Sequence, residues 1–209
     1  MSRVERRTKE TSVKVEARVV PAEAESSVDT GDAFLTHMVE TLARYAGLAL
    51  DVVARGDLRH HLVEDVAIAL GTAIADEVPP EAARYGWATV PMDDALVEAA
   101  VDVGGRPYYA GRLPSTLYEH FLRSLAFNLG ATLHVKVVRG RDRHHVVEAA
   151  VKAVGLALRQ ALRPGGEEGV FSTKGAVRLT RGSAEGPSAP GPGGSAAATG
   201  DGGAAGAEA

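Results

Sequence analysis

The chain contains no cysteine. That excludes disulfides and thiolate metal sites, and it fits a cytosolic protein. Aromatic residues are scarce, 5% of the chain against 45% hydrophobic residues in all, so a core must be built mostly from Val, Leu and Ala. No apolar run approaches the roughly 20 residues of a membrane-spanning helix. The N-terminus carries Arg3, Glu5, Arg6, Arg7, Lys9 and Glu10 and lacks the apolar segment of a secretory signal. Net charge is only −4, which gives no general argument for nucleic acid or an acidic membrane surface as partner. Large apolar residues vanish after Arg181, where Gly, Ala, Ser and Pro take over. Residues 181–209 therefore read as a disordered tail, too poor in apolar surface to offset its ordering entropy. The 209 residues allow one large or two small domains.

What the chain does have is a repeated histidine motif. His60-His61-Leu62-Val63-Glu64 returns as His144-His145-Val146-Val147-Glu148. A single histidine precedes each copy at nearly the same distance, His37 in Phe34-Leu35-Thr36-His37-Met38 and His120 in Leu117-Tyr118-Glu119-His120-Phe121. Six of the seven histidines lie in this repeat. It predicts a duplicated fold in which each half donates a His, a His-His pair and a Glu. If His60 opens a helix, Glu64 lies one turn on and His61 three residues before Glu64, so the three side chains can converge near one helix end.

Imidazole plus carboxylate is a ligand set for Zn, Mn, Fe or Ni. Six histidines and two glutamates are too many for one tetrahedral zinc. They suit two octahedral ions with about four positions left for water and substrate, which favours Mn²⁺. A lone His-His pair on an amphipathic helix is more often surface or core than ligand. The second copy, with its matching upstream histidine and Glu offset, tips the balance toward metal. A repeated capping pattern could explain the glutamates but not three histidines per half.

The periodicities place the motifs. Thr11–Val20 alternates as a half-buried strand. A helix follows from Thr30 or Asp32 as N-cap to Gly47, carrying His37 beside its apolar stripe. Leu48–Ala54 reads as a strand and His60–Ala75 as a helix, broken by Pro79-Pro80. The plan then recurs: strands over Trp87–Val90 and Ala95–Val103, a Gly104-Gly105 turn, a helix from Pro114-Ser115 carrying His120, a strand over Ala131–Val138, and a helix over His144–Leu162. The fold class is α+β, two duplicated half-domains, each a small β-sheet with two helices on one face. The first half spans 1–86 and the second 87–180, ahead of the 181–209 tail.

The chain resembles the imidazoleglycerol-phosphate dehydratase family of histidine biosynthesis. The resemblance rests on Arg7-Thr8-Lys9-Glu10-Thr11, the two upstream-histidine stretches, both His-His-x-x-Glu motifs, Gly104-Gly105-Arg106-Pro107, Thr132-Leu133-His134-Val135 and Ser172-Thr173-Lys174-Gly175. These are collinear with the family from about residue 5 to 178. It implies half-domains arranged as in ribosomal protein S5 domain 2 and ferredoxins. It implies two Mn²⁺ per active site, held by His37, His60, His61, Glu64, His120, His144, His145 and Glu148. Glu10 matches the acid/base carboxylate, and Arg84, Arg106, Lys152, Ser172 and Lys174 match the phosphate-contacting positions. The resemblance further implies a cytoplasmic homo-oligomer of twenty-four subunits with its sites between subunits. Two departures stand out: Thr36 replaces the usual Asp before the first histidine, and Leu58-Arg59 replaces acidic residues in a shortened loop before His60.

The reaction so implied removes water from imidazole glycerol phosphate to give imidazole acetol phosphate. Metal at the imidazole ring would spread charge from a barely acidic carbon. A carboxylate such as Glu10 could move protons, and the basic residues with Ser172 suit a phosphate dianion. Taken without the resemblance, each Arg or Lys is more readily a solvated surface charge. Two other readings stay open on the residues alone: a di-metal hydrolase acting on a phosphorylated small molecule, and a non-catalytic metal-binding assembly protein.

Overall fold

The computed structural model describes residues 1–20 and 25–165. The chain separates into Met1–Ala176 and Val177–Ala209. The second unit, with the predicted 181–209 tail, lies outside the described residues, as do Ser172 and Lys174.

The first half runs β1 (Ser2–Arg7), β2 (Thr11–Val19), β3 (Ser27–Asp29), α1 (Ala33–Ala46), β4 (Leu48–Gly56), α2 (Arg59–Asp76). The second repeats it as β5 (Tyr85–Met92), β6 (Ala95–Val103), β7 (Tyr108–Gly111), α3 (Thr116–Leu129), β8 (Ala131–Arg139), α4 (Arg143–Ala161). Each sheet has four strands with matching order, β1-β2-β4-β3 and β5-β6-β8-β7. Alternation works as expected in β2, where Val13, Val15 and Ala17 are buried and the residues between them face out. Val15 pairs with Val4 on one side and Val52 on the other.

Three strands carry little signal in the sequence. β1 is an edge strand whose charged residues lie along an exposed rim, so it reads as a polar N-terminus. β3 and β7 are short edge strands, each parallel to its neighbour, β4 or β8. Their pairing comes from the crossover that α1 or α3 makes, not from an apolar pattern.

The helices of both halves lie between the two sheets. In the first half α2 packs on β1 and β2, and α1 on β3 and β4. In the second, α4 packs on β5 and β6, and α3 on β7 and β8. Across the middle α1 meets α4 and α2 meets α3. Because α2 is covered on two sides, it buries Leu62, Val63, Val66, Ala67, Ala69, Leu70, Ala73 and Ile74, wider than one stripe. One continuous core joins both halves.

Two glycines at matching places set the helix crossings. Gly71 and Gly155 each stand eleven residues after the first histidine of their motif. A Cβ on Gly71 would lie 2.6 Å from the Leu125 carbonyl oxygen of α3, and one on Gly155 would lie 2.7 Å from Tyr45 Cβ of α1. The absent methyl lets the backbones approach closely and brings the upstream histidine of one half beside the motif of the other. No described helix is long and apolar enough to cross a membrane.

A candidate metal centre where four helices begin

The helix starts gather at one end of the helical layer. Asp32 caps α1 by accepting from the Leu35 amide at 2.8 Å. The same carboxylate takes Arg59, at the start of α2, at 2.8 Å. Phe34 of α1 meets Tyr118 of α3 edge-on at 5.0 Å and His144 of α4 at 5.3 Å. Asp142 caps α4 by accepting from the His144 and His145 amides at 2.8 and 3.3 Å. Thr36 does not face the histidines. Its hydroxyl is hydrogen-bonded to the Thr30 hydroxyl at 2.9 Å and accepts from the Thr30 amide at 3.2 Å, bracing the turn into α1.

Here the repeat works across halves. Glu148 Oε2 lies 3.0 Å from His144 Nε2, one turn away on α4, and 3.4 Å from His37 Nε2 on α1. The three offer ligand atoms all within 4.8 Å of one another. On the other side His60 Nε2 lies 3.7 Å from Glu64 Oε2, and the His60 ring sits 5.6 Å from that of His120 on α3. Glu64 and His120 line one hollow of about 340 Å³. Thus His37 joins the second motif and His120 the first.

The second histidine of each pair turns away. His60 and His61 rings are nearly perpendicular, as are His144 and His145. His61, Glu64 and His60 therefore do not converge on one point. His61 Nδ1 instead meets Asp57 Oδ1 at 2.9 Å and Glu10 Oε2 at 3.4 Å. His145 Nδ1 meets Asp94 Oδ1 at 2.8 Å. Asp57 and Asp94 lie outside the repeat. Asp57 could be found from its spacing four residues before His61. Asp94 comes from the distant β5–β6 turn and has no local signal.

The two Glu-centred groups differ electrostatically. Glu148 is 9% exposed and Glu64 47%. Lys152, one turn beyond Glu148, reaches it at 2.9 Å, and the matching position on α2 is Ile68. Burial raises the Glu148 carboxyl, but the hydrogen bond and charge of Lys152, helped by His37, outweigh it and hold the group ionised below its usual range. His61 is held above the ordinary imidazole value chiefly by Asp57, and His145 chiefly by Asp94. Asp94 itself is pulled well below the carboxylate range by the Arg141 amide, then by His145 and the Asp142 amide.

The donors fit a divalent ion. Octahedral ligands about 2.1 Å from a metal sit about 3 Å apart when adjacent, close to the spacing of Glu148 from His144 and His37. Glu10 sits in the tight β1–β2 turn, where its amide donates to Thr8 Oγ1 at 3.1 Å and its carbonyl accepts from the Asp57 amide at 3.0 Å.

Arg84 and Arg106 lie elsewhere. The Arg84 amide donates to the Ala161 carbonyl at the far end of α4. Its guanidinium forks onto Asp102 at 2.9 and 3.2 Å, and the backbone holds a left-handed φ of 70°. The Arg106 carbonyl accepts from Thr132, which pairs with Asp102 on the adjoining strand. The 19 residues of α4 span about 28 Å at 1.5 Å per residue, so both arginines are remote from the six histidines of the repeat.

Two layers of duplicated α+β structure, with imidazole–carboxylate groups assembled across their halves, define a duplicated α+β protein with candidate metal-ligand groups. Comparison narrows this. The imidazoleglycerol-phosphate dehydratase family profile matches residues 30–158. The dehydratase of Pyrobaculum calidifontis is 50% identical over 189 residues, 83% of this chain and 98% of that protein. That of Acidothermus cellulolyticus is 44% identical, covering 83% and 91%. The crystal structure of the Pyrococcus furiosus enzyme superposes with a TM-score of 0.74 at 39% identity, over 83% of this chain and all of that one. The Staphylococcus aureus enzyme gives 0.68 at 30% identity, over 78% and 98%. The chain belongs to the imidazoleglycerol-phosphate dehydratase family and is a carbon–oxygen lyase.

Proposed function

We propose that this protein removes water from imidazole glycerol phosphate, giving imidazole acetol phosphate in cytoplasmic histidine biosynthesis, with two Mn²⁺ per active site. The observation that carries this reading is the cross-half pairing of His37 with His144 and Glu148. Its counterpart is His120 beside His60 and Glu64. With His61 and His145 these form the proposed eight-ligand set. Bound Mn²⁺ supplies Lewis acidity at the substrate's imidazole, spreading the charge that develops as carbon loses its hydrogen.

The chain's own residues do the rest. Glu10, within 3.4 Å of His61, is the carboxylate that moves protons on the side chain as the C–H and C–O bonds break and water leaves. Lys152 keeps Glu148 ionised and is poised for the phosphate. Arg84, Arg106, Ser172 and Lys174 complete the phosphate pocket. Because Arg84 and Arg106 stand so far from the motif histidines of their own chain, they serve a site on a neighbouring copy, in a twenty-four-subunit assembly with its sites between subunits. The half-domain boundary at 86/87 is part of the same reading. The test is turnover of imidazole glycerol phosphate by metal-stripped protein before and after Mn²⁺. Mn²⁺-dependent imidazole acetol phosphate is expected; absence of product despite bound Mn²⁺ would overturn the reading.

A further inference from the structure

We propose that Asp57 and Asp94 are positioning residues that orient the second histidine of each motif, so that His61 and His145 both present Nε2 to Mn²⁺. The inference rests on the Mn²⁺ reading above. In each half the contact is made by the same ring nitrogen. His61 Nδ1 lies 2.9 Å from Asp57 Oδ1 and His145 Nδ1 lies 2.8 Å from Asp94 Oδ1. An ionised carboxylate only accepts, so Nδ1 carries the hydrogen. The neutral ring then has one free lone pair, on Nε2. A carboxylate behind a metal-binding imidazole fixes both its tautomer and its rotation.

The two halves reach this arrangement from places that are not related by the repeat. Asp57 stands four residues before His61, but Arg141 stands four before His145. Asp94 lies in the β5–β6 turn; the matching β1–β2 turn supplies Glu10, which is farther from His61 than Asp57 is. Simple duplication does not explain a contact rebuilt from a different element. A requirement of the histidine does.

Both carboxylates are themselves held by backbone. Asp94 Oδ2 accepts from the Arg141 and Asp142 amides at 2.6 and 3.2 Å, fastening the loop into α4. Asp57 Oδ1 also accepts from the Leu58 amide at 2.6 Å, and the Asp57 amide donates to the Glu10 carbonyl. The outward face of His145 is not closed: Asp93 Oδ2, on an exposed side chain, is 3.4 Å from Nε2, beyond normal hydrogen-bond length.

The test titrates Mn²⁺ alone into the metal-stripped full chain, with free Mn²⁺ read by electron paramagnetic resonance, for wild type, Asp57→Asn and Asp94→Asn. Thermal midpoints are measured without metal. The expected result is a site 10- to 100-fold weaker, the usual cost of losing such a carboxylate, with the metal-free midpoint of Asp57→Asn unchanged. Asp57→Asn carries the test if Asp94→Asn, which loosens a loop, folds poorly. Wild-type affinity in Asp57→Asn would overturn the proposal. So would a weakening that only follows a fall in midpoint. Complete loss of one ion would make Asp57 a ligand instead, which also overturns it. If wild type itself bound no Mn²⁺, the metal reading would fall first and take this inference with it.

Discussion

At the residue scale, the histidines were legible but their partners were not. The doubled motif makes six histidines and two glutamates conspicuous in one dimension. Chain order leaves open which upstream histidine serves which motif. The fold pairs them across halves, because the contact between His37 and Glu148 depends on how α1 crosses α4, and no local pattern encodes that. The His-to-Glu spacing of one helical turn did carry over, for His60 with Glu64 and His144 with Glu148. Two substitutions separate the roles. Glu148→Gln removes a buried charge facing two imidazoles, so Mn²⁺ affinity at that group should fall at least about tenfold and turnover should fall with it, as read by metal titration and product formation. Glu10→Gln should leave bound Mn²⁺ unchanged and abolish turnover. Full activity in that variant would remove Glu10 from the acid/base role.

At the scale of the elements, the long strands and the four described helices followed from periodicity and punctuation. Asp32 and Gly47 bound α1 as their chemistry predicts, with Gly47 in the left-handed conformation at φ 69°. β1, β3 and β7 escaped because edge strands need not alternate: half their surface is solvent, and parallel pairing is fixed by a crossover. The closeness of the helix pairs was also hidden, since a glycine within a helix pattern reads only as a weak point. In three dimensions Gly71 and Gly155 are contact points. Gly71→Ala or Gly155→Ala should each cost about 1–3 kcal/mol, the usual range for overpacking, in urea unfolding of the metal-free protein. Loss of Mn²⁺ affinity should follow, because separating α1 from α4 in Gly155→Ala draws His37 away from Glu148, and separating α2 from α3 in Gly71→Ala draws His120 away from His60. Unchanged stability in both variants would mean that the crossings are looser than the structure places them.

At the scale of the whole molecule, Arg84 and the His144-His145 pair of one chain lie at opposite ends of α4, while Lys152 stands one turn from Glu148. If the site is composite, the two sets can be mutated on different chains. Arg84→Ala and Glu148→Gln proteins should each be nearly inactive, and co-assembly from a mixture should recover part of the turnover, because some sites then combine two intact surfaces. No recovery despite mixed assemblies, detected by native mass spectrometry, would place each site within one chain. The central claim is that each half lends a histidine to the other's motif, giving two separate Mn²⁺ sites. The most direct test counts tightly bound Mn²⁺ per chain in wild type, His37→Ala and Glu148→Gln. Two ions are expected in wild type and one in each variant, with the same ion lost from both. If His37→Ala instead lost the ion held by His60 and Glu64, or if neither variant lost one, the cross-half assignment would be contradicted.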